Sequence, residues 1–172
     1  HAHLYDEAFD TDREATIERA QLAGVTRFIL PGIDASTQPA LENLADRYPD
    51  CCFACVGLHP TSINNQWEEE LALVQQRLHN RSYVAIGEIG LDGYWSREFI
   101  REQQEAFYRQ LVWASERDLP VIIHLREATD FLFEVLDRFR NEKKVLPQGV
   151  FHAFSGSTET YERYSEFVKI IK

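Results

Sequence analysis

Five side chains able to bind a metal ion, His1, His3, Glu88, His124 and His152, each stand where a short apolar run gives way to a loop. Imidazoles and a carboxylate gathered from several strand ends are the donor set of a metallohydrolase. That mixture suits Zn, Mn, Fe or Ni better than calcium, which takes oxygen ligands. His1 and His3, two residues apart on an extended segment, can present both rings on one side. Glu88 interrupts Ala85-Ile86-Gly87-Glu88-Ile89-Gly90-Leu91-Asp92, and a carboxylate among apolar neighbours needs a cation to offset its desolvation. Val84, Ile86 and Glu88 share one strand face, as do Ile122 with His124 and Val150 with His152, which aims the donors at one rim. Two ions about 3.5–4 Å apart, bridged by one carboxylate, would lower the pKa of a shared water and stabilise the oxygens of a phosphoryl group. Each residue also has an ordinary reading: an expression-tag remnant for His-x-His, an arginine salt bridge for Glu88, a hydrogen-bonded core position for each strand-end histidine. The three strand-end residues together favour the metal.

A repeating βα pattern must position these groups. Helical periodicity spans 10–23 up to Gly24, and an apolar strand spans 25–30 before Pro31-Gly32. A helix over 36–47 and a strand over 53–57 follow, then a helix over 67–78 with Leu71, Val74 and Leu78 on one stripe. The series continues with strand 84–88, helix 97–117, strand 121–124, helix 127–139, strand 150–153, helix 158–167 and strand 168–171. Six strands with five intervening helices predict an α/β protein with a parallel sheet. A dinucleotide-binding sheet would want a glycine-rich turn, and Leu30-Pro31-Gly32-Ile33 offers one glycine. Ligands at the carboxyl ends of many strands instead predict a (β/α)8 TIM barrel, here a fragment lacking the first strand and the last. No linker or compositional break divides residues 1–172, which read as one partial metal-dependent hydrolase domain.

With 172 residues, 44% of them hydrophobic, the chain can bury a core, and its net charge of −10 excludes a generally basic surface. A phosphate substrate would need local cations. No stretch approaches the roughly 18 apolar residues that span a bilayer, and no basic region followed by an apolar one opens the chain. Cys51, Cys52 and Cys55 are odd in number and clustered, which disfavours disulfides and fits a reducing, cytoplasmic setting without a membrane partner. Cys52 and Cys55 form a lone C-x-x-C, better read as buried strand than as a zinc or redox site.

At this point the motifs resemble those of the TatD-related family of metal-dependent deoxyribonucleases, within the amidohydrolase superfamily. His1-Ala2-His3-Leu4 resembles the opening His-x-His, Gly57-Leu58-His59-Pro60 the Gly-[IL]-His-Pro loop, and Ile86-Gly87-Glu88-Ile89-Gly90-Leu91-Asp92 the central signature. Residues 104–107 and Leu119-Pro120-Val121-Ile122-Ile123-His124-Leu125-Arg126-Glu127-Ala128 match the next blocks, and Phe151-His152-Ala153-Phe154-Ser155-Gly156-Ser157 the last. The resemblance implies a (β/α)8 barrel with two divalent ions, among Mg, Mn and Zn: His1 and His3 on one, Glu88 bridging, His124 and His152 on the other. It also implies phosphodiester hydrolysis, exonucleolytic from a 3′ end of DNA, single-stranded or at strand ends. Two departures stand out. The family's last ligand, an aspartate on the eighth strand, has no counterpart in this sequence, and Gly93 stands where the signature commonly continues with an aromatic residue.

The expected catalytic set is Glu88, His59 and Asp92. His59 can touch the scissile phosphate, orient a ligand, or simply serve the turn before Pro60. Asp92 can support a metal ligand or cap the following helix. Among substrate contacts, Arg126 suits a phosphate clamp if it is more than a solvated arginine. Ser155 heads a Ser-Gly-Ser turn that offers N–H groups to an anion or caps a helix. Trp67 and Trp113 lie in helical patterns and read as core, whereas Trp95, after Tyr94, can stack on a nucleobase or pack a lid. Two other functions compete: hydrolysis of another ester or amide, such as an aminoacyl-tRNA ester, and a non-catalytic metal-stabilised binding domain.

Overall fold

A computed structural model describes residues 1–143, 145, 147–154, 156–165 and 169–170. Helix α1 (Arg13–Leu22) precedes strand β1 (Phe28–Leu30), and α2 (Gln38–Arg47) leads to β2 (Cys52–Ala54). Then come α3 (Trp67–Asn80) and β3 (Ile86–Asp92), α4 (Ile100–Arg117) and β4 (Val121–Arg126), α5 (Thr129–Lys143) and β5 (Gln148–His152), and α6 (Thr158–Ser165) and β6 (Lys169–Ile170). All the pairings are parallel: β1 with β2, and β3, β4, β5 and β6 in that order, with Val56 bridging to Ile86 between the two groups. Six strands in chain order, each reached through a helix, are successive β/α units of a (β/α)8 barrel, present here in part.

The strands are apolar runs because helices cover parallel sheets and leave little surface wet. β3 is buried at all seven positions. Phe107, Leu111 and Ala114 of α4 and Leu132, Leu136 and Phe139 of α5, each fully buried, share one core with the apolar residues of β3. The predicted stripe Leu71, Val74 and Leu78 is the buried face of α3. Trp67 and Trp113 pack against the core, whereas Trp95 is 74% exposed. The three cysteines are free and buried. No helix of the described residues is long and apolar enough to cross a membrane.

Several boundaries differ from expectation. The helix expected over 10–23 is the shorter α1, preceded by a 3-10 turn (Glu7–Phe9) capped by Asp6. β3 begins two residues later than expected and runs on through Asp92. Val84 therefore lies outside the strand, 41% exposed, and a register shift between Ile86 and Ile89 replaces the simple alternation of Val84, Ile86 and Glu88. The extension depends on Gly90, whose φ is 137° and whose missing Cβ would sit 2.0 Å from the His124 carbonyl oxygen. No other residue lets β3 and β4 close there. Of the last expected helix and strand, residues 166–168 and 171 lie outside the described residues.

Candidate metal centre

The sheet register sets the site. Gly90 of β3 stands opposite His124 of β4, and His124 opposite His152 of β5, so the two histidines leave adjacent strands at the same height. The first residues run beside β1, with the Ala2 N–H donating to the Ile29 carbonyl at 2.9 Å, which brings His1 and His3 to the same rim. The Gly57–Pro60 segment follows β2 and delivers His59. Five of the six histidines, with Glu88 and Arg126, line one cavity of about 450 Å³, within the usual range for ligand pockets.

Glu88 is the centre of this group. His1 Nε2 and His3 Nε2 lie 3.5 and 4.0 Å from its Oε2, while His124 Nδ1 lies 3.5 Å from its Oε1. The two carboxylate oxygens thus face different imidazoles. Oε1 is buried and has no hydrogen-bond partner. Donor atoms of His1, Glu88 and His152 fall within 4.8 Å of one another, as do those of His59, Glu88 and His124. His152 stacks on His1 with ring centroids 3.8 Å apart, so it groups with His1 where the resemblance implies a place beside His124.

Hydrogen bonds decide which nitrogens remain available. The Tyr5 hydroxyl donates to the Pro31 carbonyl at 2.6 Å, which can only accept, so the 2.8 Å contact between Tyr5 and His3 Nδ1 has the imidazole N–H as donor. His3 then turns a bare Nε2 toward Glu88. Asp92 Oδ2 accepts from His124 Nε2–H at 2.8 Å, which in the neutral ring leaves Nδ1 bare on the Glu88 side. His59 is the reverse case: its Nδ1 accepts from the Thr61 N–H at 3.2 Å, which leaves the proton on Nε2. It serves the turn, as one reading expected, and still offers an N–H donor.

Burial and the neighbouring charges shift the titration of these groups in different directions. Burial, and then the neighbouring His124, push His59 down to about 4, so its ring is neutral near pH 7. Burial likewise lowers His3. Burial works to raise Glu88, but the facing imidazoles, His124 first, outweigh it and hold a carboxylate. For His124 burial works downward, but the carboxylates of Glu88 and Asp92 outweigh it and raise its pKa, so a proton and a cation compete for Nδ1 on the Glu88 side.

Two buried glutamines that the sequence reading passed over hold the supporting segments. Gln103 accepts the Asp92 N–H at 2.8 Å and donates to the Asp92 carbonyl at 3.2 Å. Gln110 accepts the Leu58 N–H at 2.8 Å and donates to the Leu58 carbonyl at 3.3 Å. Each acts on backbone as a neighbouring strand would, one beside His59 and the other at Asp92. Their signal was polar residues seven apart on the apolar face of a helix; the motif block 104–107 starts one residue after Gln103. Arg126 reaches the cavity mouth and Trp95 stands beside it, while Ser155 lies outside the described residues. Gly93 has its own reason: a Cβ there would sit 2.5 Å from the Glu127 carbonyl oxygen, where the loop closes on β4.

The model of the family described as TatD related DNase matches residues 1–169. The chain belongs to that family. Among TatD relatives, the "Uncharacterized metal-dependent hydrolase YabD" of Bacillus subtilis is 37% identical over 159 residues, covering 92% of this chain and 61% of the relative. The "3'-5' ssDNA/RNA exonuclease TatD" of Pantoea ananatis is 35% identical over 158 residues, covering 91% and 59%. Among solved structures, the TatD homolog YjjV from Escherichia coli K12 superposes with a TM-score of 0.86 at 36% identity, covering 99% of this chain and 65% of that one. The chain spans about three fifths of the length of the curated relatives it matches.

Proposed function

We propose that the protein hydrolyses phosphodiester bonds from the 3′ end of single-stranded DNA, in the cytoplasm, with two divalent cations held by His1, His3, Glu88, His124 and His152. One observation carries this reading: a buried carboxylate with an oxygen lacking any hydrogen-bond partner, faced by imidazoles that turn bare nitrogens toward it. Leaving a charged oxygen so placed costs several kcal/mol unless a cation meets it. The donor set fits borderline and hard divalent ions such as Zn, Mn or Mg. Bound there, such ions supply an activated water and neutralise developing phosphoryl charge.

The chain's own groups do the rest. Tyr5 and Asp92 fix the rings of His3 and His124. His59, neutral and protonated on Nε2, donates to a phosphate oxygen, and Arg126 adds a local cation at the mouth of an acidic protein. The Pantoea ananatis relative, named a 3'-5' ssDNA/RNA exonuclease, supports the choice of strand and end. The test is digestion of a 3′-labelled single strand by the full-length protein with Mn or Mg. Glu88→Gln is expected to lower the rate at least about 100-fold, by removing both the charge and the bridge; unchanged digestion would overturn the reading.

A further inference from the structure

The loop between β3 and α4 leaves two aromatic side chains in solvent. Trp95 is 74% exposed and Tyr94 46%, against the general tendency to bury large rings. They are ordered against each other, edge to face, with centroids 4.8 Å apart. Arg126, at the end of β4, lays its guanidinium over Tyr94 with Cζ 3.4 Å from the ring centroid and 5.7 Å from that of Trp95. Asp92 holds the loop, its Oδ1 accepting the Tyr94 N–H at 3.0 Å and the Trp95 N–H at 3.4 Å. Trp95 also borders a second cavity of about 150 Å³, shared with Pro60, Ile63 and Phe99.

Two chemistries therefore meet at the rim of the histidine cavity: the solvent-exposed Trp95 ring beside Tyr94, and a guanidinium with no carboxylate partner among the described residues. Stacking on Tyr94 leaves the N–H edges of Arg126 free in the guanidinium plane. A nucleobase tethered to a phosphate has the matching parts, a π face and an anion about one nucleotide apart. We propose that Tyr94, Trp95 and Arg126 form the seat for the nucleobase adjoining the phosphate at the metal centre. This rests on the phosphodiesterase reading and deepens it: a base must leave its stack to be seated, so the seat selects single strands and frayed ends.

The experiment compares two 5′-labelled oligonucleotides, one intact and one abasic at its last two 3′ positions, digested with Mn by the full-length protein. Trp95→Ala is expected to raise KM for the intact strand about 5- to 100-fold and far less for the abasic strand. Trp95→Phe is expected to restore most of the difference. An equal effect on both strands, or none on either, would overturn the seat while leaving the phosphodiesterase standing. Failure of the unaltered protein to cut either strand would overturn both.

Discussion

Asp92 Oδ2 lies 2.8 Å from His124 Nε2, while Oδ1 of the same carboxylate accepts the N–H groups of Tyr94 and Trp95. One buried acid thus orients the imidazole that faces Glu88 and pins the exposed aromatic loop. An asparagine has a single acceptor oxygen and must abandon one of the two. Asp92→Asn is expected to cost about 10- to 100-fold in divalent-ion affinity or activity, the range typical of groups that orient metal ligands. A Mn titration followed by activity measures it, and full activity at low Mn would contradict the assignment.

The two glutamines of α4 predict a loss of stability. Replacing Gln110 by Leu strips the buried Leu58 N–H of its partner, and Gln103→Leu does the same at Asp92. Each is expected to cost about 1–3 kcal/mol in urea unfolding. A neutral result at both sites would mean water replaces the side chain.

Gly90→Ala is expected to prevent folding or to cost more than about 3 kcal/mol. The new Cβ would sit 2.0 Å from the His124 carbonyl oxygen, at a φ that side-chain-bearing residues rarely adopt. Soluble yield and thermal unfolding report it, and a wild-type melting curve would refute the close approach of β3 and β4.

Burial pushes the thiols of Cys52, beside Cys51, and of Cys55 up to about 12. Iodoacetamide at pH 8 is expected to label neither in the native protein and both in denaturant, because the thiolate is the nucleophile. Rapid native labelling of Cys55 would restore a reactive role for the Cys-x-x-Cys pair.

Asp34 gives a pH dependence. Burial works to raise its pKa, but hydrogen bonds from Ser36 and Thr37 outweigh it and hold the carboxylate below its ordinary 3.8. A folded value below the unfolded one adds stability above the unfolded pKa, and that contribution is lost as pH falls through the folded value. Asp34→Asn is expected to melt earlier than wild type at pH 7, with the gap closing below pH 3.8. A gap of constant size would remove the charge from the explanation.

The six βα units were legible because strands buried on both faces are short apolar runs and the helices between them show one apolar stripe. Boundaries failed where backbone geometry, and not composition, rules: β3 passes Glu88 only because Gly90 admits the neighbouring strand. The candidate donors were legible as residue types, since a carboxylate inside Ile-Gly-Glu-Ile-Gly stands out against its neighbours.

From the amino-acid order alone come the parallel α/β architecture, the family motifs and the roster of imidazoles around Glu88. Tertiary structure decides which carboxylate oxygen each ring faces, where His152 groups and which nitrogen keeps its proton. It also reveals Tyr5, Gln103 and Gln110 as the groups that hold the site. The reason is physical: apolar periodicity is local and survives in the sequence, whereas hydrogen-bond direction depends on atoms brought together from distant segments, such as Asp92 and His124, 32 residues apart.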